Sequence, residues 1–435
     1  MRTLCWLSLL LLAGCAEPPT GPTAKAIIGA SLIDGTGAPP IEDAVIIVAG
    51  SRIRAAGPRA VVPIPAGAEK LDGTGLWVTP GLIDLHVHLG AKAGPRFDAS
   101  EYTRERIERN LAAYLAYGIT AVRSVGTERE AGFAVRQAIR DGSLAAPALF
   151  TAGRGFTAPG GHPSQEIGDI ARQPADAAGA RQQVSELAAQ RADLIKIWID
   201  DLGGTAPKIR PEVTEAILAA AREANIPVVA HIHSLADALH LTRNGAAGFL
   251  HMVRDTEDLP GAALAEWKEK QIVFAPTLVR QELAWLFQEQ PALLDDPVLA
   301  ATLEPGVLDA VRAAKSEPSA RAREEFARAI RNTGRAAKAG VPIGAGSDGG
   351  SAIDFPGWAF HRELELLVQA GLSPLETVTA ATRNGALALG QLAERGTVET
   401  GKRADLVIVR GNPLEDIRRL RAIERVMLGG QWVER

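Results

Sequence analysis

Apolar residues fall along this chain in two textures. From Ala26 to Trp77 they come in short β-type runs, AIIGASLIDG, DAVIIVAGSRI and AGAEKLDGTGLWV, broken by Gly, Pro and Asp-Gly turns. Such runs predict a small antiparallel sheet. The same texture returns in ADLVIVRG and AIERVMLGGQWVER, so the two chain ends, 26–78 and 396–435, together predict one β subdomain. Between them the pattern alternates. Apolar runs of strand length recur at Leu82–His88, Thr120–Val125, Ala148–Ala152, Leu194–Ile199, Val228–Ile232, Gly248–Val253, Ile272–Pro276 and Ile343–Gly346. Amphipathic, Ala-rich segments such as ARQQVSELAAQRA and RPEVTEAILAAAREA separate them. Eight strands each followed by helix predict an α/β fold: a (β/α)8 TIM barrel over 79–395, carrying a small β-sandwich subdomain formed by both chain ends. One connection is long. Val279 to Gly340 carries several helical segments between the seventh and eighth strands, where an insertion serves as a lid or a substrate wall.

The first residues read as a targeting segment. Arg2 is followed by the apolar run Leu4 to Leu12 and by Leu12-Ala13-Gly14-Cys15. That run is too short to span a bilayer, which favours a signal peptide over 1–14. Leu-Ala-Gly-Cys resembles the lipobox of bacterial lipoproteins. The resemblance implies that Cys15 carries the lipid anchor, that 15–25 is a flexible tether, and that the protein sits in the cell envelope, on the periplasmic face. Ala16 after the anchor favours the outer membrane. An ordinary cleaved signal with an incidental Cys15 is the alternative. The chain has two cysteines, Cys5 and Cys15, so the mature body has no disulfide and no thiol for catalysis or metal. Lys and Arg total 47 against 51 Asp and Glu, a net charge of −4 with no basic run, which argues against nucleic acid as partner. Past Cys15 no apolar stretch is long enough for a membrane helix, and the sequence leaves a homo-oligomer open.

Polar residues at strand ends change the picture. In GLIDLHVHLG, His86 and His88 project from the same face of one strand, about 7 Å apart along it. Two imidazoles converging there suit a divalent transition metal, zinc above all, although a pair of hydrogen-bonded core histidines would have the same spacing. Strand four, ADLIKIWID, carries Lys196 inside an apolar run; strand five, IPVVAHIHS, ends in His231 and His233; strand six, GFLHMV, carries His251; strand eight, PIGAGSDGG, ends in Asp348. Each has a bland alternative: a snorkelling lysine, a satisfied core histidine, an aspartate capping the next helix. Together they put nitrogen and oxygen donors at the one rim where such barrels hold their active sites. His240 and His361 fall within helical patterns and are not read as ligands, and the clusters Glu101–Glu108 and Arg321–Arg331 read as solvated helix faces.

This combination resembles the amidohydrolase superfamily in its binuclear form, over about the whole mature chain. GLIDLHVH, VAHIHS, GSDGG and the tail GTVETGKRADLVIVRGNPLED carry the resemblance, which is strongest to the imidazolonepropionase-like and prolidase-like branches. It implies two divalent ions, zinc by preference. His86, His88 and Asp348 would hold one, His231 and His251 the other. Lys196, as a CO2-derived carbamate, would bridge them. It also implies a metal-held hydroxide as nucleophile, with Asp348 as the catalytic residue that takes its proton and passes it to the leaving group. The expected activity is hydrolysis of an amide or peptide C–N bond of a small substrate, a dipeptide or N-acyl amino acid. A lactonase or ester hydrolase on the same centre is the alternative, since substrate choice lies in the loops. A mononuclear deaminase fits less well because of Lys196, and a binding-only lipoprotein because the ligand set is complete. Candidates for the substrate carboxylate are Arg154, His162 in the loop GFTAPGGHPSQ, which resembles the family's Gly-Gly-His loop, and His233, where prolidase-like relatives often carry an aromatic hydroxyl.

Overall fold

The structure is a computed structural model that describes residues 24–91, 93–94, 102–315, 318–350 and 352–434. The signal peptide, Cys15 and all but the last two residues of the tether lie outside the described residues. Among those described, no helix is long and apolar enough to cross a membrane.

Strands from the two chain ends hydrogen-bond into a single sheet of eight. Leu76–Pro80 stitches the halves together, pairing in parallel with Lys25–Leu32 on one side and antiparallel with Leu406–Arg410 on the other. The pairing, which runs through one continuous sheet, does not by itself show the expected sandwich. Side chains alternate as the pleat requires. Leu406 and Ile408 pack with Ile27, Leu32, Ile46 and Met427 in a small core, whereas Val407 and Val409 face the main hydrophobic core of the molecule.

Seven parallel strands make up the central part. Three pair in the order Leu82–Val87, Ile119–Ser124, Ala148–Thr151, and four in the order Val273–Ala275, Gly248–Leu250, Val228–His231, Ile195–Trp198. They are buried almost throughout, as strands flanked by helices must be. The segment read as an eighth strand does not form a continuous ladder. It contributes isolated parallel pairings, Ile343 with Phe274 and Gly349 with Val87, and hydrogen bonds such as Leu85 N to Ala345 O and Asp348 N to His86 O. Pro342 has no N–H to donate. Gly344 and Gly346 run so close to the first strand that a Cβ would lie 2.5 Å from Leu85 Cδ1 or 2.9 Å from His86 Cβ. On the other side, Phe156, in the loop after Ala148–Thr151, pairs with Ile197 of the second sheet.

The long connection after Val273–Ala275 folds into helices Leu278–Glu282, Leu286–Glu289, Pro297–Thr302, Val307–Ala313 and Ala320–Ala339. The last starts on Ser319, whose hydroxyl accepts from Ala322 N, and ends on Gly340 in the left-handed conformation.

Candidate active site

His86, His88 and Asp348 converge at the C-terminal ends of the parallel strands. Asp348 Oδ1 lies 3.0 Å from His86 Nε2 and 2.9 Å from His88 Nε2, and the three donor atoms lie within 4.8 Å of one another. Ligands at ~2.0–2.1 Å in a tetrahedral shell stand roughly 3.3 Å apart, so these three atoms are spaced to hold one divalent ion. Asp348 and His251 both have left-handed backbone, with φ of 63° and 67°. That conformation is uncommon outside glycine and gathers at functional sites. Gly350 makes room for the turn after Asp348, since a Cβ there would sit 1.8 Å from the His88 carbonyl oxygen.

The imidazole tautomers follow from their neighbours. Thr277 Oγ1 donates to Ala275 O at 3.0 Å and therefore accepts from His86 Nδ1–H at 3.0 Å, which leaves the Nε2 lone pair for a metal. Thr127 Oγ1 does the same for His88: it donates to Glu128 Oε1 at 3.2 Å and accepts from Nδ1–H at 3.1 Å. His231 Nε2–H donates to Asp200 Oδ2 at 3.3 Å, leaving Nδ1 as its acceptor. Behind this layer, Asp84 accepts from His86 N at 3.1 Å, Ser347 N at 3.0 Å and Ser347 Oγ at 2.5 Å, clamping the first strand to the segment that carries Asp348. Burial pushes the Asp84 carboxyl up to about 7.

Five histidine rings run in succession through the pocket. Centroids are 5.3 Å apart from His88 to His86, 5.0 Å to His251, 4.3 Å to His231 and 5.3 Å to His162. Burial holds His86 down to about 3, and His231 and His251 well below the ordinary imidazole range, so these three rings are neutral. Asp348 is the reverse case: burial acts to raise its carboxyl, and the closeness of the His86 and His88 rings acts to lower it well below the usual range.

Lys196 sits beneath. It is fully buried on Ile195–Trp198, its Nζ has no hydrogen-bond partner, and it lies 4.9 Å from the Trp198 ring. Burial drives its amine well below the ordinary lysine value, with Asp348 opposing. A bare ammonium would be costly in such a place.

Above the rings opens a cavity of 260 Å³ lined by His162, Trp198, Leu202, Arg254 and Arg280, among others. His162 thus reaches the pocket, while two expected contacts do not. Arg154 turns away: its Nε donates to Ile170 O at 2.8 Å, its Nη2 to Asp169 O, and it lines a separate groove with Arg172 and Glu186. The loop after Ala148–Thr151 folds back and offers those carbonyls, a return no local pattern announces. His233 faces helix Ala320–Ala339, with Nε2 3.4 Å from Glu325 Oε1. Conversely Thr127, Thr277, Asp200 and Arg280 escaped the sequence reading. Only Asp200, an acid closing the apolar run IKIWID, left a signal there.

The chain is 28% identical over 412 residues to imidazolonepropionase of Rhizorhabdus wittichii, covering 86% of this chain and 90% of that one. It is 25% identical over 397 residues to ochratoxinase of Aspergillus niger, covering 81% and 74%. Among solved structures, a prolidase complexed with N-methylphosphonate-L-proline superposes with a TM-score of 0.74 at 25% identity, over 95% of this chain and all of that one. Residues 77–433, from the strand before the His-x-His run to the end of the terminal sheet, match the model of the amidohydrolase family, and with its His-His-Asp group at the strand ends the chain is a member of that family of hydrolases.

Proposed function

We propose that this protein hydrolyses an amide or peptide C–N bond in a small substrate, a dipeptide or N-acyl amino acid, on two divalent ions, zinc by preference. The observation that carries the reading is Lys196, a fully buried amine beside Asp348 with no hydrogen-bond partner. As a carbamate it would become an anionic oxygen donor, which gives the buried, unpartnered amine a role at the centre. His86, His88 and Asp348 would hold one ion, His231 and His251 the other, and Lys196 would join them. When bound, such ions lower the pKa of water towards neutrality and polarise a carbonyl.

The chain's own residues supply the rest. Thr277 and Thr127 orient His86 and His88, Nε2 inward. Asp348 accepts a proton on the oxygen that those histidines leave free and returns it to the departing nitrogen. Trp198 and Leu202 supply an apolar wall. At 260 Å³ the cavity lies just below the usual range of ligand pockets, roughly 300–1,000 Å³, which favours small substrates over chains. The wider architecture proposed is a closed (β/α)8 barrel over 79–395, with 26–78 and 396–435 as a β-sandwich, held at the cell envelope through lipid on Cys15.

The test is turnover by the zinc-loaded protein on a panel of dipeptides, N-acyl amino acids, esters and lactones. Release of free amine from a dipeptide or acyl amino acid is expected. Turnover of esters and lactones alone would replace this reading with the lactonase.

A further inference from the structure

Two neighbouring side chains in the pocket have donors that the protein does not use. Arg280 stands on the short helix Leu278–Glu282, directly after the strand Val273–Ala275. Thr277, in left-handed backbone, starts that helix and holds His86, and Glu363 Oε2 accepts from Val279 N at 2.8 Å. Arg280 therefore rises from a turn that is anchored on both sides. Its Nε lies 3.2 Å from Asp354 Oδ2 and 3.5 Å from Asp348 Oδ2, its side chain is 36% exposed, and none of its five N–H groups makes a hydrogen bond to another described residue. Asp354 is completely buried and steadies the guanidinium by charge. Next to it, both amide atoms of Gln281 are closed off from solvent without a partner, and Gln281 lines the same cavity.

The other arginine of the pocket is already engaged. Arg254 Nη1 donates to Ile232 O at 2.9 Å, and its Nη2 lies 3.6 Å from Asp200 Oδ2. Glu166 adds an acid whose charge acts on Arg280, and Ile167, Leu202 and Trp198 add apolar surface. A guanidinium with open donors suits an anionic oxygen group, and in a dipeptide or N-acyl amino acid that group is the carboxylate, which takes a two-pronged bond from arginine.

We propose that Arg280 is the residue that anchors the substrate's carboxylate, and that the substrate carries an apolar side chain towards Ile167 and Leu202. The inference rests on the C–N hydrolase reading above, and it replaces Arg154 in the role first assigned to it. Arg280 sets which substrates bind and does no bond chemistry itself.

The test uses a pair of ligands with no scissile bond, 3-phenylpropionate and its isosteric methyl ketone, 4-phenyl-2-butanone, titrated into the zinc-loaded protein by following tryptophan fluorescence. The wild type should bind the carboxylate at least about tenfold more tightly than the ketone. Arg280→Met should erase that preference with metal content and circular dichroism unchanged, while Arg280→Lys should retain part of it. If the methionine variant does not fold, because Asp354 loses its counter-charge, the lysine variant decides: its preference should fall several-fold. No preference in the wild type, or an equal preference in the variants, as direct coordination of the carboxylate by metal would give, overturns the proposal. A carboxylate preference that depends on Arg280 in a protein that hydrolyses nothing on the panel would leave this anchor standing and sink the hydrolase reading. Hydrolysis without such dependence would do the reverse.

Discussion

Lys196→Met should have opposite effects on stability with and without metal. In the metal-free protein Nζ is a buried donor with no hydrogen-bond partner, and burial, which drives the amine well below the ordinary lysine value, favours its neutral form and weakens any cation–π attraction to the Trp198 ring 4.9 Å away. An unsatisfied buried polar group costs about 1–3 kcal/mol, and methionine fills the same volume without it. The variant should be more stable by that amount in chelator. Unfolding entropy near 2.1 cal/mol/K per residue amounts to roughly 0.9 kcal/mol/K for a chain of 435 residues, so the Tm should rise by about 1–3 °C. With zinc the order should reverse. Ligand at a thousand times its Kd stabilises by about 4 kcal/mol, roughly 4–5 °C here, and the variant, lacking the bridging donor, should gain only a fraction of it. Scanning calorimetry of both proteins, in chelator and in excess zinc with bicarbonate, reads all four values. A variant that is less stable in chelator by more than 1 kcal/mol, or that gains as much from zinc as the wild type, would refute the reasoning.

Three further outcomes are expected. Thr277→Val removes the acceptor that fixes the His86 tautomer, and zinc affinity measured against a competing chelator should fall about 10–100-fold; unchanged affinity would contradict the tautomer assignment. His361 is buried on helix Trp358–Gln369, donating Nε2–H to Tyr117 O at 2.8 Å, and burial, helped by the Arg421 charge, holds it down to about 3. The unfolded state then binds the extra proton first, so this group's contribution is whole above about pH 6.5 and is lost at roughly 1.4 kcal/mol per pH unit as pH falls towards 3. His361→Gln, which keeps a donor for Tyr117 O, should flatten that part of the denaturation profile, and an identical profile would count against it. Cys15→Ser should release the protein from the membrane fraction of expressing cells, whereas unchanged association would mean the anchor is misread.

What the sequence disclosed depended on how local the signal is. His86 and His88 share a strand face because side chains alternate, and apolar runs mark seven of the strands, because a buried parallel strand tolerates little else. The segment Ile343–Gly346 is apolar enough to read as an eighth strand, yet Pro342 and the two glycines leave isolated pairings. Orientation of the ligands was not legible. Thr277 is 191 residues from His86, and Thr127 follows its strand in a loop, so neither stands in any periodic relation to the ring it holds. The exchange of Arg154 for Arg280 has the same origin: each follows a strand, and only tertiary structure supplies the carbonyls that use up one and the open space beside the other.

The central claim is a two-ion centre built on Lys196. Diffraction from crystals of the zinc-loaded protein at the zinc absorption edge tests it most directly. Two anomalous peaks are predicted, one beside His86, His88 and Asp348 and one beside His231 and His251, with density extending from Lys196 Nζ between them. A single peak at the His-His-Asp group above an unmodified Lys196 would contradict it.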